Sequence, residues 1–139
     1  MSAICDTGPL VAYLNRHDPH HAWAVALMKQ VRPPLLTSEP VLTETAYFLR
    51  EDDLHLDPLF ELLERGVLRL AFDLSAHWPR VRTLLARYTQ MDLADASIVV
   101  MAELHARHQV LTVDRRDFSV YRRHDRQVID FVAPPTRSR

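Results

Sequence analysis

Two glycines in 139 residues leave no Gly-rich phosphate loop, and neither the G-x-G-x-x-G nor the P-loop spacing occurs. Cys5 is the only cysteine. That excludes an internal disulfide and a cysteine-based zinc site, and it suits a reducing, cytoplasmic setting. Lys29 is the only lysine; every other basic chain except histidine is an arginine. Arginine suits bidentate phosphate contact, although a GC-rich coding bias explains the skew equally well. No run reaches the roughly 18 apolar residues of a membrane span, and no basic stretch leads into an apolar one as in a signal peptide. A net charge of −1 excludes a broadly basic nucleic-acid coat. What is present is 47% hydrophobic and 25% charged, the balance of one folded domain. That domain is expected over residues 1–133, with 134–139 as a frayed tail.

Short apolar runs alternate with helical stretches along the chain. Strands are expected at residues 3–5, 35–37, 67–72, 109–113 and 128–131. Helices are expected at 10–14, 20–31, 38–50, 57–66, 75–88 and 93–105, with a helical turn at 117–121. Pro9 suits a first helical position with Thr7 or Gly8 as its cap, and Ser75 suits a cap further on. Gly66 suits a C-terminal stop. This alternation predicts a three-layer α/β/α sandwich around a mostly parallel sheet of about five strands. Right-handed crossovers then place the strand C-termini on one edge, where such sheets bind ligands.

Four acids fall at places that such a fold gathers. Asp6 ends Ser-Ala-Ile-Cys-Asp and Asp114 ends Val-Leu-Thr-Val-Asp. Glu44 and Asp95 lie near the starts of two apolar helices. Each has an ordinary alternative. Asp6 can be a helix cap, Glu44 a helix-surface acid, and one of Asp92 and Asp95 can cap the helix they begin. Asp117 is expected to cap a short turn. Convergence is costly: two like charges about 4 Å apart repel by roughly 1 kcal/mol in water and roughly 4 at an effective dielectric of 20. A hard divalent cation with oxygen ligands relieves this. The pattern therefore points to a metal-dependent enzyme acting on phosphate esters.

Four segments carry a family likeness: Cys-Asp-Thr-Gly-Pro-Leu-Val-Ala-Tyr-Leu, Leu-Thr-Glu-Thr-Ala-Tyr, Met-Asp-Leu-Ala-Asp-Ala-Ser-Ile-Val-Val-Met-Ala-Glu and Leu-Thr-Val-Asp-Arg-Arg-Asp-Phe. In this order the chain resembles the PIN-domain nucleases, and among them the VapC-type toxins of prokaryotic toxin–antitoxin pairs. The resemblance implies Mg²⁺- or Mn²⁺-dependent cleavage of single-stranded or structured RNA. It implies catalytic acids at Asp6, Glu44, Asp95 and Asp114, with Asp6, Asp95 and Asp114 holding the metal. Thr112 matches a supporting hydroxyl beside the last acid, and Asp92 is an additional acid. The resemblance also implies a homodimer and a small antitoxin whose tail covers the acidic cleft.

Substrate contact is expected from Arg115 and Arg116, the nearest of a cluster with Arg122, Arg123 and Arg126. The ordinary alternative is a solvated surface or a dimer contact. His17, His20 and His21 lie in a polar turn with no acid at ligand spacing beyond Asp18, and are not expected to bind metal. Trp23, Phe48, Phe60, Phe72 and Trp78 occupy apolar periodic positions and are expected in the core rather than as base-stacking platforms. Three other enzyme classes fit poorly. Asp6-Thr7-Gly8 matches an aspartic-protease triplet, but this chain is helix-rich. A phosphorelay receiver needs a late lysine, and Lys29 comes too early. A haloacid-dehalogenase-type phosphatase needs a second Asp where Gly8 stands. The remaining rival is a non-catalytic module of the same fold that binds RNA or protein.

Overall fold

A computed structural model describes residues 1–136. Its sheet is built from five short strands: β1 (Ala3–Cys5), β2 (Leu35–Thr37), β3 (Leu68–Leu70), β4 (Gln109–Leu111) and β7 (Phe131–Val132). They lie in the order β3-β2-β1-β4-β7, all parallel. The helices are α1 (Thr7–Leu14), α2 (His21–Met28), α3 (Glu39–Glu51), α4 (Asp57–Glu64), α5 (Leu74–Arg87), α6 (Leu93–Leu104) and α7 (Arg115–Val120).

Side chains alternate across each strand, so one sheet serves two cores. Ile4, Leu36 and Val110 face one layer, packed with Val81, Leu84, Ile98 and Phe118 of α5, α6 and α7. Ala3, Cys5, Leu35, Leu68 and Leu111 face the other, packed with Leu10, Leu27, Leu59 and Leu62 of α1, α2 and α4. This is the expected three-layer sandwich. No helix among the described residues is long and apolar enough to cross a membrane.

Several local expectations are corrected. Asp6, not Thr7 or Gly8, is the N-cap of α1, accepting the Thr7 N–H at 2.8 Å. A carboxylate is a stronger acceptor for an orphan N–H than a hydroxyl, and Pro9 still lies in the first turn, where it forfeits no helical bond. Asp73 likewise replaces Ser75 as the cap of α5. Asp117 caps nothing: Asp114 is the cap of α7 and accepts the Asp117 N–H at 2.9 Å.

The last expected strand divides in two. β5 (Arg122–Arg123) and β6 (Gln127–Val128) form a separate antiparallel hairpin, turned through left-handed His124 and Asp125. Only Phe131–Val132 joins the main sheet.

Phe48, Phe60 and Trp78 are not core residues, at 48%, 58% and 54% exposure. Each sits beside the buried stripe of its helix. In α3 that stripe is Val41, Thr45 and Leu49. Trp23 and Phe72 are half-buried against the two cores. Pro134 accepts a hydrogen bond from Arg115, and residues 137–139 of the tail lie outside the described residues.

Ile4 is fully buried in the central strand, whereas Val128 in the hairpin is 66% exposed. Ile4→Ala is expected to lower the unfolding free energy by about 2–5 kcal/mol. Val128→Ala should change it by less than about 0.5 kcal/mol. Urea denaturation of both variants checks the contrast.

Candidate active site

The strand order reverses at β1: β2 and β3 extend to one side, β4 and β7 to the other. Open parallel sheets bind ligands beyond the strand ends at such a switch point. Cys5 pairs with Leu111, so Asp6 and Thr112 leave the sheet side by side. The Asp6 N–H donates to the Leu111 carbonyl at 2.9 Å. The Thr112 hydroxyl donates to Asp6 Oδ2 at 2.7 Å and accepts the Asp114 N–H at 3.0 Å. One hydroxyl thus locks the acids after β1 and β4 into one unit.

Glu44 reaches the same place from α3, where Thr7 Oγ1 donates to its Oε1 at 2.8 Å. Asp92 caps α6, accepting the Asp95 N–H at 2.8 Å. Asp95 Oδ2 accepts from the buried Tyr121 hydroxyl at 2.9 Å. The starts of α3 and α6 are joined by the Ser38 and Ser97 hydroxyls, 2.7 Å apart. Gly8 is required by close approach: a Cβ there would collide with Val113, the residue before Asp114.

These acids line one cavity of about 410 Å³. Asp6, Glu44, Asp92, Asp95 and Asp114 are joined there by Asp117 and Asp18, and no Lys or Arg is among the lining residues. A larger cavity of about 760 Å³ adjoins it through Glu44 and Asp92, walled by Phe72, Leu74 and Leu93. The carboxylates meet in the smaller one.

The electrostatic consequence is visible group by group. Burial pushes Asp6 up to about 6; the Thr112 and Thr7 hydrogen bonds oppose this, and the charges of Glu44 and Asp114 add to it. Burial, then the Asp92 charge, pushes Asp95 up to about 7, against the pull of the Tyr121 bond. Glu44 is raised by burial and further by Asp92. Asp117 is raised by burial and by contact with the Asp114 carboxyl. Tyr121 itself is pushed well up, by burial first and then by Asp95.

The donor set fits a hard divalent cation: every donor is an oxygen, and positive charge is what the cavity lacks. It is not a closed cage, since among the described residues no three Asp, Glu, His or Cys side chains already form a metal-holding cluster. Glu44, Asp92, Asp95 and Asp114 each have one oxygen held by a donor, and no donor from the described residues reaches the other. Mg²⁺ commonly keeps several waters and uses few protein ligands, so an open set suits it.

The PIN domain family matches residues 3–124 of this chain. The chain belongs to the PIN-domain family. It is also similar to Ribonuclease VapC26 of Mycobacterium tuberculosis (strain ATCC 25618 / H37Rv), 31% identical over 124 residues that cover 86% of this chain and 91% of that protein. The likeness is to a VapC-type PIN ribonuclease, and it extends over nearly the whole length of both chains.

Within this PIN domain the basic cluster is directed elsewhere. Arg115 donates to the Pro134 carbonyl at 3.0 Å and lies over the Phe131 ring. Arg122 donates to the carbonyls of Ser119, Val120 and Tyr121, and Arg123 to that of Ala106. Arg116 is exposed beside Asp117. None of them lines the acidic cavity.

Sequence reasoning missed Tyr121 and Thr7, whose hydroxyls hold Asp95 and Glu44. No spacing rule links residues 26 and 37 positions apart. It also set aside Asp18 and His20, which the turn before α2 brings to the rim.

A carboxylate raised by folding binds its proton more tightly in the native state than in the unfolded chain. Stability is therefore expected to fall as pH rises from the ordinary carboxylate range through about 7, the midpoint of the Asp95 titration. Thermal melts in EDTA should show the midpoint dropping between pH 5 and pH 8. Asp95→Asn should flatten that slope, and an unchanged slope would contradict the charge account. Tyr121→Phe removes a donor from Asp95 and is expected to weaken Mn²⁺ binding by about 10–100-fold in calorimetric titration.

Proposed function

We propose that this PIN domain is a metal-dependent endoribonuclease, the toxin of a toxin–antitoxin pair. The observation that carries the reading is the cavity at the ends of β1 and β4, rich in acids and without a Lys or Arg in its lining. The similarity to Ribonuclease VapC26 supports RNA as the substrate.

Asp6, Asp95 and Asp114 are the residues proposed to hold Mg²⁺ or Mn²⁺, with Asp92 adjacent and Thr112 fixing Asp6. Such an ion, when bound, offsets phosphate charge and lowers the pKa of a coordinated water. In this reading Glu44 orients the attacking water or binds a second ion. Its raised pKa makes it a better base near neutral pH than an ordinary glutamate. Water attacks phosphorus in line and the ribose 3′-oxygen leaves, giving a 5′-phosphate and a 3′-hydroxyl. Arg116 can meet a flanking phosphate from the surface, whereas Arg115 must first leave the Pro134 carbonyl.

The same reading includes a cytoplasmic protein folded as one domain over residues 1–133, a homodimer and a small antitoxin over the acidic cleft. The support for the last two is the likeness to a VapC-type relative.

Purified protein on total RNA, with and without EDTA, tests the proposal. Cleavage should require Mg²⁺ or Mn²⁺ and leave 5′-phosphate ends. Asp6→Asn, Glu44→Gln, Asp95→Asn and Asp114→Asn should each lower the rate by more than about 100-fold, beyond the usual loss from an outer-shell partner. Retained RNA affinity without metal-dependent cleavage would favour the non-catalytic module. A 2′,3′-cyclic phosphate formed in EDTA would replace the mechanism with a metal-free one.

A further inference from the structure

Phe48 is a large apolar ring left 48% exposed at the edge of the acidic cavity. It lies one helical turn after Glu44, so the two share a face of α3, and both line that cavity. The core does not need it, because α3 buries Val41, Thr45 and Leu49 instead. A neighbouring ring contacts it: the exposed Tyr47 ring meets it edge to face, centroids 5.4 Å apart at 74°. His20 lines the same cavity and is met in the same manner by Trp23, at 6.4 Å and 75°. Two flat rings therefore border a cavity otherwise dominated by carboxylates.

That combination limits how RNA can be held. With no Lys or Arg in the lining, ion pairs inside the cavity cannot grip the phosphates on either side of the scissile one. Nearby acids repel them. Arg116 can reach a phosphate only from outside, so within the cavity the available contact is neutral, and a nucleobase offers one on its π-face. We infer that Phe48, with His20 beside it on the rim, is a stacking platform for an unpaired nucleobase adjoining the phosphate at the acidic cavity. The inference rests on the ribonuclease reading and adds to it a residue that would touch the substrate and sense whether a base is unpaired. A base inside a duplex is already paired and stacked and cannot present its face to the ring. Stacking tolerates any base, so this contact selects for strandedness rather than sequence.

The test compares Phe48, Phe48→Ala, Phe48→Leu and Phe48→Trp, each in an Asp95→Asn background that keeps RNA intact. Fluorescence anisotropy in Mg²⁺ follows a labelled unpaired oligoribonucleotide and a fully paired duplex. Ala and Leu should each weaken single-strand binding by about 10-fold, within the roughly 5- to 150-fold range for loss of one stacked base. Trp should bind at least as well as Phe, and the duplex should not distinguish the four. Several results would overturn the inference: no single-strand binding at all, no loss in Ala, Leu equal to Phe, or equal losses on the duplex. So would a loss that tracks a change in oligomeric state by light scattering, since Tyr47 and Phe48 would then be a contact between copies. Cleavage by the unmodified chain reports separately on the ribonuclease reading. A chain that binds through Phe48 but never cuts ends that reading alone, whereas one that cuts equally well with Phe48→Ala ends this one alone.

Discussion

Mutual repulsion among half-buried carboxylates is the constraint around which this PIN domain is arranged. Asp6 and Asp95 are driven up to about 6 and about 7, burial first and neighbouring acids after it. A group of like charges survives in a cavity only if each member is held individually. Here the holding is done by neutral donors. Thr112 and the Thr7 N–H fix Asp6, Thr7 Oγ1 fixes Glu44, and the Tyr121 hydroxyl fixes Asp95. Neutral donors orient a carboxylate without cancelling its charge, so the cavity stays negative and receptive to a cation. An arginine in the same place would neutralise it, and none lines it.

Helix capping and site formation turn out to be one arrangement. Asp6, Asp92 and Asp114 are the N-caps of α1, α6 and α7. α1 and α7 start just after the parallel strands β1 and β4, so their N-termini lie at the C-terminal edge of the sheet, and α6, which follows α5, is brought to the same edge by its packing. All three capping carboxylates line the cavity there. The helix N-terminus favours the negative charge, and part of the repulsion is offset by the bonds that start the helix. A capping role for Asp6 or Asp114 is thus no argument against a role in the site, because the cap uses one or two lone pairs and leaves others.

The arginines illustrate the opposite outcome. Their clustering after Asp114 suggested a phosphate cradle, yet three of the five close backbone carbonyls around α7, the hairpin and the tail. Guanidinium groups serve orphan carbonyls at chain ends as well as they serve phosphates. The sequence holds no mark that separates the two uses. Phe48 went the other way: its periodic position suggested the core, but a position adjacent to a buried stripe is not within it.

The sequence alone determined the layers, the parallel sheet and four of the acids that share the cavity. Those follow from local signals: apolar runs of strand length, helical periodicity, and acids at the junction between them. Thr112 was legible too, because it lies two residues before Asp114. Tertiary structure alone decided which distant hydroxyls hold the acids, that Asp18, Asp117 and His20 join the cavity, and where the arginines point. Tyr121 meets Asp95, and Thr7 meets Glu44, only because helices from separate parts of the chain pack at one sheet edge. Such contacts are set by strand order and helix packing, which no short window of residues encodes.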